Sequence, residues 1–173
     1  TEGMLPATAT DTTVALDDFI ATHSAAAGVS GMTANSYAAW KGLYAANVVS
    51  TADQSGDIAT VRNYLNNKWK TQVQLSIPSN TTIIGSGVNC GIKGGCISIN
   101  GKRNVVLRNL LIQDGFNPFP KLEANDGLNA DYDNISIQNS KYIWIDHCTM
   151  EDTLATTDAE LGKVTTGNGV TLK

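Results

Sequence analysis

Two aspartates separated by one residue, Asp131 and Asp133, are the side chains of this sequence best suited to bind a cation. In an extended segment, residues i and i+2 face the same side, which places the two carboxylates on one patch with backbones about 7 Å apart. Like charges at that distance repel unless a cation lies between them. Ca²⁺ suits such a pair, although its shell of six to eight oxygens needs further ligands. On spacing alone we favour the alternative, an acidic turn that leads into a strand.

A second pair of adjacent polar side chains, Asp146 and His147, has the residue types of an acid–base couple. A histidine beside an aspartate more often hydrogen-bonds a neighbouring turn, so we interpret this pair as structural. His23, the only other histidine, lies in an Ala-rich region predicted to be helical. The sequence therefore predicts no Ser–His–Asp or Cys–His catalytic group.

Several cations are scattered through the same half of the chain. If turns stack, they could align into a basic rim that binds an anionic polymer, but we favour ordinary solvated turns. The residues concerned are Lys102, Arg103, Arg108, Lys121 and Lys141.

The elements that position these residues follow from a repeat. Segments 98–99 and 104–114 recur at one constant offset as 136–137 and 142–152, and their short apolar runs alternate with Asn, Gly and Ser. Such repeats indicate stacked β-strand rungs rather than one globular core. In an earlier copy of the repeat, 82–89 aligns with 105–112. The step from rung to rung, meaning the number of residues between equivalent positions, is shorter here than in the later copy. The longer second step leaves 115–130 as an excursion, which either carries function or caps a rung as a solvent-exposed loop.

The composition changes near residue 72. Residues 1–72 are predicted to form short helices and loops that cap one end of the solenoid, with Tyr37, Trp40 and Tyr44 at helical spacing and a further helix from Asp57. Residues 73–173 are predicted to form the first rungs, and alternation begins at Val73. Residues 170–173 resemble the opening of another strand. We therefore expect this chain to be the N-terminal part of a longer protein, whose remainder lies on the same or a second chain.

Composition limits the classes of partner. A net charge of −4 argues against nucleic-acid binding, and no apolar run approaches the length of a membrane span. The low charge content favours an extracellular, β-rich protein. Cys90 and Cys96 bracket a Gly-rich loop short enough for a disulfide, which we expect in an oxidising compartment, and Cys148 is left over.

Four segments together resemble the pectate lyase family of secreted right-handed parallel β-helix enzymes. They are 80–85 (Asn-Thr-Thr-Ile-Ile-Gly), 104–110 (Asn-Val-Val-Leu-Arg-Asn-Leu), 131–137 (Asp-Tyr-Asp-Asn-Ile-Ser-Ile) and 144–149 (Trp-Ile-Asp-His-Cys-Thr). The resemblance implies an all-β, single-stranded right-handed parallel β-helix with a helical N-terminal cap, of which this chain covers the N-terminal rungs. It also implies that Asp133 is a calcium ligand, that Asp131 is a second acidic ligand, and that Asp146 and His147 are structural.

The same resemblance implies an activity. The family cleaves de-esterified pectin, a (1→4)-linked galacturonan, by calcium-dependent β-elimination and leaves unsaturated oligogalacturonides. Its catalytic arginine lies downstream of the Trp-Ile-Asp-His motif, and no arginine follows Arg108 here, so no catalytic base is assigned and the arginine is expected beyond Lys173. The alternatives are a pectin lyase that acts on methylated substrate, against which Asp131 and Asp133 count, and a non-catalytic polysaccharide-binding β-helix.

Overall fold

The computed structural model describes residues 12–48, 56–88, 90–123, 127–129, 131–151, 164–165 and 171–172. Three helices come first: α1 (Thr12–Ala26), α2 (Tyr37–Asn47) and α3 (Asp57–Val73). The side chain of Ser36 caps α2 by accepting a hydrogen bond from the backbone N–H of Ala39. None of the described helices is long and apolar enough to cross a membrane.

Nine of the described strands stack into three parallel sheets. The first sheet contains β1 (Gln74–Ser76), β4 (Cys96–Asn100) and β9 (Ile135–Gln138), the second β2 (Thr81–Ile84), β5 (Arg103–Arg108) and β10 (Lys141–Asp146), and the third β3 (Gly91–Lys93), β6 (Leu111–Gln113) and β11 (Thr149–Glu151). The chain visits the sheets in turn, one strand of each per rung, so the predicted parallel β-helix is confirmed. Two antiparallel pairs complete the described strands: β7 (Lys121–Glu123) with β8 (Gly127–Asn129), and β12 (Val164–Thr165) with β13 (Thr171–Leu172).

Strand register confirms one predicted alignment and corrects the other. Val105 pairs with Ile143 of the next rung, as the repeat predicts. Thr81, rather than Thr82, pairs with Val105, so the first step is one residue longer than the sequence alignment predicts. The difference matters because a slip of one residue would turn each side chain to the opposite face. The observed register keeps Ile83 in line with the buried Leu107 and sends Ile84 outward, where it is 60% exposed.

The rungs turn at corners where the backbone adopts positive φ. Asparagine and glycine tolerate this left-handed conformation better than most residues, which explains their recurrence between the apolar runs. The corners align from rung to rung: Asn80 with Asn104 and Tyr142, Gly94 with Asp114, Gly101 with Asn139, and Asn109 with His147. Side chains reinforce the stacking, since the Asn109 amide donates to the Gly85 carbonyl at 2.8 Å.

The apolar core has two main parts. One fills the β-helix and includes Ile97, Ile99, Val105, Leu107 and Ile112, all fully buried. The other joins the helices to the excursion through Phe119, which packs with Phe19 and Trp40. The described part of the excursion is therefore not the solvent-exposed loop considered from the sequence, because Phe119 within it is a core residue. Leu75 in β1 remains 39% exposed, so the described helices leave this rung partly open, and their capping role stays a prediction.

Truncating Leu107 tests the interior of the β-helix. Leu107→Ala is expected to lower the free energy of unfolding by about 2–5 kcal/mol, because a fully buried leucine loses its packing and leaves a cavity. Ile84→Ala, in the neighbouring strand of the same sheet, is expected to change it by only about 0.5 kcal/mol. Chemical denaturation of both variants checks the difference, and equal effects would show that the register is wrong.

Candidate functional site

The Asp131–Asp133 segment lies at a corner of the β-helix, just before β9. Asp131 and Asp133 are exposed, whereas Tyr132 between them is 6% exposed. The next residue, Asn134, fixes the corner to the start of the excursion, since its side-chain oxygen accepts the backbone N–H of Gly115 at 2.9 Å. The two carboxylates thus flank a buried anchor on a corner tied to the rest of the fold.

Tyr132 attaches this corner to helix α3. Its hydroxyl points to the backbone oxygen of Asn66 at 3.1 Å and to the side-chain oxygen of the same residue at 2.9 Å. Burial, and then the neighbouring Asp131 carboxylate, raises the pKa of Tyr132 to about 12, against an opposing effect of Arg62. The hydroxyl therefore stays protonated at neutral pH and remains a hydrogen-bond donor.

The carboxylate of Asp131 is already engaged by α3. Its Oδ2 lies 3.7 Å from Nη2 of Arg62 and accepts a hydrogen bond from Nδ2 of Asn66 at 3.3 Å. Arg62 is 5% exposed and also donates from Nε to the carbonyl of Phe119 at 2.7 Å, so the guanidinium is held in place. A cation bound at Asp131 would have to share that carboxylate with a fixed positive charge.

Asp133 has a different environment. It is exposed, and among the described residues it forms no hydrogen bond or ion pair. The negative charge of Asp133 also acts on Cys96 in β4. Burial raises the pKa of the Cys96 thiol most, the Asp133 carboxylate raises it further, and Lys70 lowers it. In the described part of the chain no cluster of three His, Cys, Asp or Glu side chains is present that could complete a metal site. Asp133 is therefore the carboxylate more available to a cation, with Asp131 as a weaker partner.

A polar cleft adjoins this corner, between α3 and the outer face of the sheet formed by β1, β4 and β9. Its volume is about 330 Å³, at the lower end of the range for small-molecule sites. Asp131 lies at its wall, and the remaining lining is mostly uncharged and polar, with Lys70 as the cation. Sequence reasoning missed the cleft, since it depends on how α3 packs; the matched Ser98 and Ser136 of the repeat were the available signal.

The Asp146–His147 pair lies at a corner of a different sheet, at the end of β10. Asp146 pairs through Oδ2 with Nε of Arg108 on the preceding rung at 3.0 Å, and its Oδ1 lies 2.6 Å from Nδ1 of His147. His147 occupies the corner with positive φ that follows. These contacts link consecutive rungs and show how the pair contributes to the fold.

The structure also places the three cysteines and two of the cations that were considered for a basic rim. Cys90 and Cys96 are free thiols, so the expected disulfide is not formed. Cys96 opens β4 and is buried beside α3, whereas Cys90 precedes β3 of another sheet, and the Gly-rich loop between them contains a strand rather than a closed turn. Cys148 is also free. Arg103 and Lys141 are paired neighbours in β5 and β10, as stacking predicts.

Comparison with known proteins gives consistent matches. The family model described as "Pectate lyase" matches residues 9–171. A pectate lyase of Bacillus subtilis (strain 168) is 40% identical over 104 residues, which cover 58% of this chain and 24% of that protein. Pectate lyase E of Dickeya chrysanthemi is 45% identical over 100 residues, which cover 58% of this chain and 25% of that protein. A solved structure of a pectate lyase bound to a hexasaccharide aligns with a TM-score of 0.59 and 37% identity, over 66% of this chain and 29% of that one. The chain thus spans about a quarter of the length of the curated relatives it matches.

Proposed function

This chain belongs to the pectate lyase family, and from that premise we propose that the protein cleaves de-esterified pectin, a (1→4)-linked galacturonan, by calcium-dependent β-elimination. The match of the family model confirms the family resemblance that was identified from the sequence. The solved relative that holds a hexasaccharide supports an oligosaccharide substrate. Within this chain, the observation that carries the proposal is the exposed carboxylate of Asp133, which has no partner among the described residues, at the corner where Asp131 lines a polar cleft.

We assign Asp133 as a calcium ligand and Asp131 as a second, weaker one. These residues would hold the cation, and a bound calcium ion would supply Lewis-acid chemistry that makes the C5 proton beside a uronate carboxylate more acidic. Asp133 supplies a hard oxygen donor without a competing partner among the described residues, whereas Asp131 shares its Oδ2 with Arg62 and Asn66. A protein with a net charge of −4 can hold a polyanion on this surface because divalent cations separate the two sets of negative charge.

No catalytic base is assigned among the described residues. Of the three arginines in the sequence, Arg62 is buried and bonded to Phe119, and Arg108 pairs with Asp146 on another sheet. Arg103 also lies on that other sheet, away from the Asp131–Asp133 corner. The contribution proposed for this chain is therefore to hold the cation and to orient the saccharide.

We further propose that the protein acts outside the cell, as a secreted enzyme. Its substrate class is a wall polymer too large to enter a cell, which requires the enzyme to meet it extracellularly. The low charged fraction of 16% is compatible with that setting.

Product formation tests the function. The protein is incubated with calcium and either polygalacturonate or highly methylated pectin, and the ultraviolet absorbance of the unsaturated uronide is followed. We expect product from polygalacturonate and a much slower reaction with methylated pectin, because methylation removes the carboxylate that pairs with calcium. Faster, calcium-independent cleavage of methylated pectin would indicate a pectin lyase, and binding of polygalacturonate without product would indicate a non-catalytic β-helix.

A further inference from the structure

Asn66 in α3 contacts both the buried anchor and one carboxylate of the Asp131–Asp133 corner. Its Nδ2 donates a hydrogen bond to Oδ2 of Asp131 at 3.3 Å, and its Oδ1 faces the hydroxyl of Tyr132 at 2.9 Å. Asn66 is 7% exposed and Tyr132 is 6% exposed, so water competes little for the contact between them. The Asn66 side chain is therefore held between two groups of the corner.

The Tyr132 hydroxyl determines which end of the Asn66 amide faces Asp131. An amide oxygen only accepts hydrogen bonds and an amide nitrogen only donates them, while an ionised carboxylate only accepts. With Oδ1 directed to the hydroxyl, Nδ2 is left to face the Asp131 carboxylate, and both partners are satisfied. The three groups form a chain of contacts in which Tyr132 orients Asn66 and Asn66 orients Asp131.

Within the described ranges, the contacts of the Asp131 carboxylate all reach one of its two oxygens. Nη2 of Arg62 lies 3.7 Å from Oδ2, the same atom that accepts the hydrogen bond of Asn66. Oδ1 forms no hydrogen bond or ion pair there, so it is the oxygen available to a cation. Arg62 brings a positive charge that repels a cation, whereas the Asn66 amide fixes the carboxylate without that repulsion.

We propose that Asn66 is a positioning residue for the candidate calcium site, because it holds Oδ2 of Asp131 so that Oδ1 is presented to the cation. Carboxylates that bind metals are commonly hydrogen-bonded by neighbouring groups, which fix their orientation and raise the metal affinity. The inference rests on the proposed function, since it takes Asp131 as a calcium ligand. It adds that helix α3, distant in sequence from the corner, sets the calcium affinity of that corner.

A calorimetric calcium titration of Asn66→Ala tests the positioning role. We expect calcium binding to weaken about threefold to tenfold, below the effect typical of lost supporting groups because Asp131 is the weaker ligand. Asn67→Ala is the matched control, since Asn67 is the next residue of α3, is exposed and forms no hydrogen bond with Asp131. The control is expected to leave calcium affinity unchanged, and equal losses in the two variants would overturn the proposal.

A double-mutant cycle separates positioning from general support of the fold. If Asn66 acts through Asp131, Asn66→Ala has almost no further effect on calcium affinity in a protein that already carries Asp131→Ala, because no carboxylate remains to be oriented. A residue that only supports the fold would weaken calcium binding by the same factor in both backgrounds. That additive result would contradict the positioning role.

Tyr132→Phe tests the same chain of contacts without opening a cavity, and it serves if Asn66→Ala does not fold. The substitution keeps the buried ring and removes only the hydroxyl that orients the Asn66 amide. We expect calcium affinity to fall about twofold to fivefold, since the amide loses one of its two fixed contacts. Unchanged calcium affinity in Tyr132→Phe would show that this chain does not position Asp131.

The two proposals fail in different ways. Unchanged calcium affinity in both Asp133→Asn and Asn66→Ala would refute the calcium site itself, and with it the calcium-dependent function. A loss of affinity in Asp133→Asn with none in Asn66→Ala would refute the positioning role alone and leave the proposed function intact.

Discussion

Asp133→Asn is expected to weaken calcium binding by about tenfold to a hundredfold and to reduce lyase activity at limiting calcium to the same extent. The side chain is exposed and free of partners within the described ranges, so its loss affects cation binding more than folding. The size of this loss of affinity is taken from metal sites in general. Their affinity depends on the charge and number of the ligands, and removing a supporting side chain weakens metal binding by about tenfold to a hundredfold. Isothermal calorimetry with calcium measures the affinity directly.

Two further variants serve as controls for Asp133→Asn. Asp18→Asn removes one carboxylate from an exposed position of α1, remote in sequence from the corner, and is expected to leave calcium affinity unchanged. Asp131→Asn is expected to have a smaller effect than Asp133→Asn, because Arg62 already offsets the Asp131 charge. Unchanged calcium affinity in Asp133→Asn would refute its assignment as a ligand.

Phe119→Ala is expected to cost about 3–5 kcal/mol of the free energy of unfolding, the largest loss of stability we predict. Phe119 is fully buried and packs its ring with those of Phe19, Trp40 and Trp69, so its removal opens a cavity where the helices meet the excursion. Its carbonyl also accepts the hydrogen bond of Arg62, which faces Asp131. The midpoint of chemical denaturation, at constant slope, measures the loss.

Val88→Ala is the control for this truncation. Val88 is apolar but 93% exposed, and its replacement is expected to change the free energy of unfolding by at most about 0.5 kcal/mol. If Phe119→Ala proved as mild as Val88→Ala, the excursion would be peripheral to the fold. A large loss of stability in Phe119→Ala alone would establish that the excursion connects the helices to the candidate site.

The repeat made the β-helix predictable from sequence. Period-two alternation and the matched pairs Ser98–Ser136 and Val105–Ile143 determine which strands stack, because each rung must continue the same buried face. The register of the shorter first step was harder to predict, because a corner can accommodate one additional residue without changing the apolar pattern of either strand. The observed register of that step is set by the interior contact of Ile83 with the core around Leu107.

The candidate site was predictable only in part. Spacing and resemblance singled out Asp131 and Asp133, but nothing local in sequence reveals that Arg62, from a helix much earlier in the chain, pairs with one of them. The cleft depends on the packing of α3 against a sheet, and the free thiol of Cys96 belongs to the lining of that cleft. Such long-range contacts follow from tertiary packing, which a single sequence does not specify by pattern.

The most direct test of calcium-dependent lyase function is a calcium titration of the initial rate. The protein is dialysed against chelator, calcium is added back in steps, and the appearance of unsaturated uronide from polygalacturonate is recorded at each step. We predict no product in chelator, a rate that rises to saturation with calcium, and loss of that rate when chelator is restored. Product formed at full rate in excess chelator would contradict the assignment of calcium and, with it, the role given to Asp133.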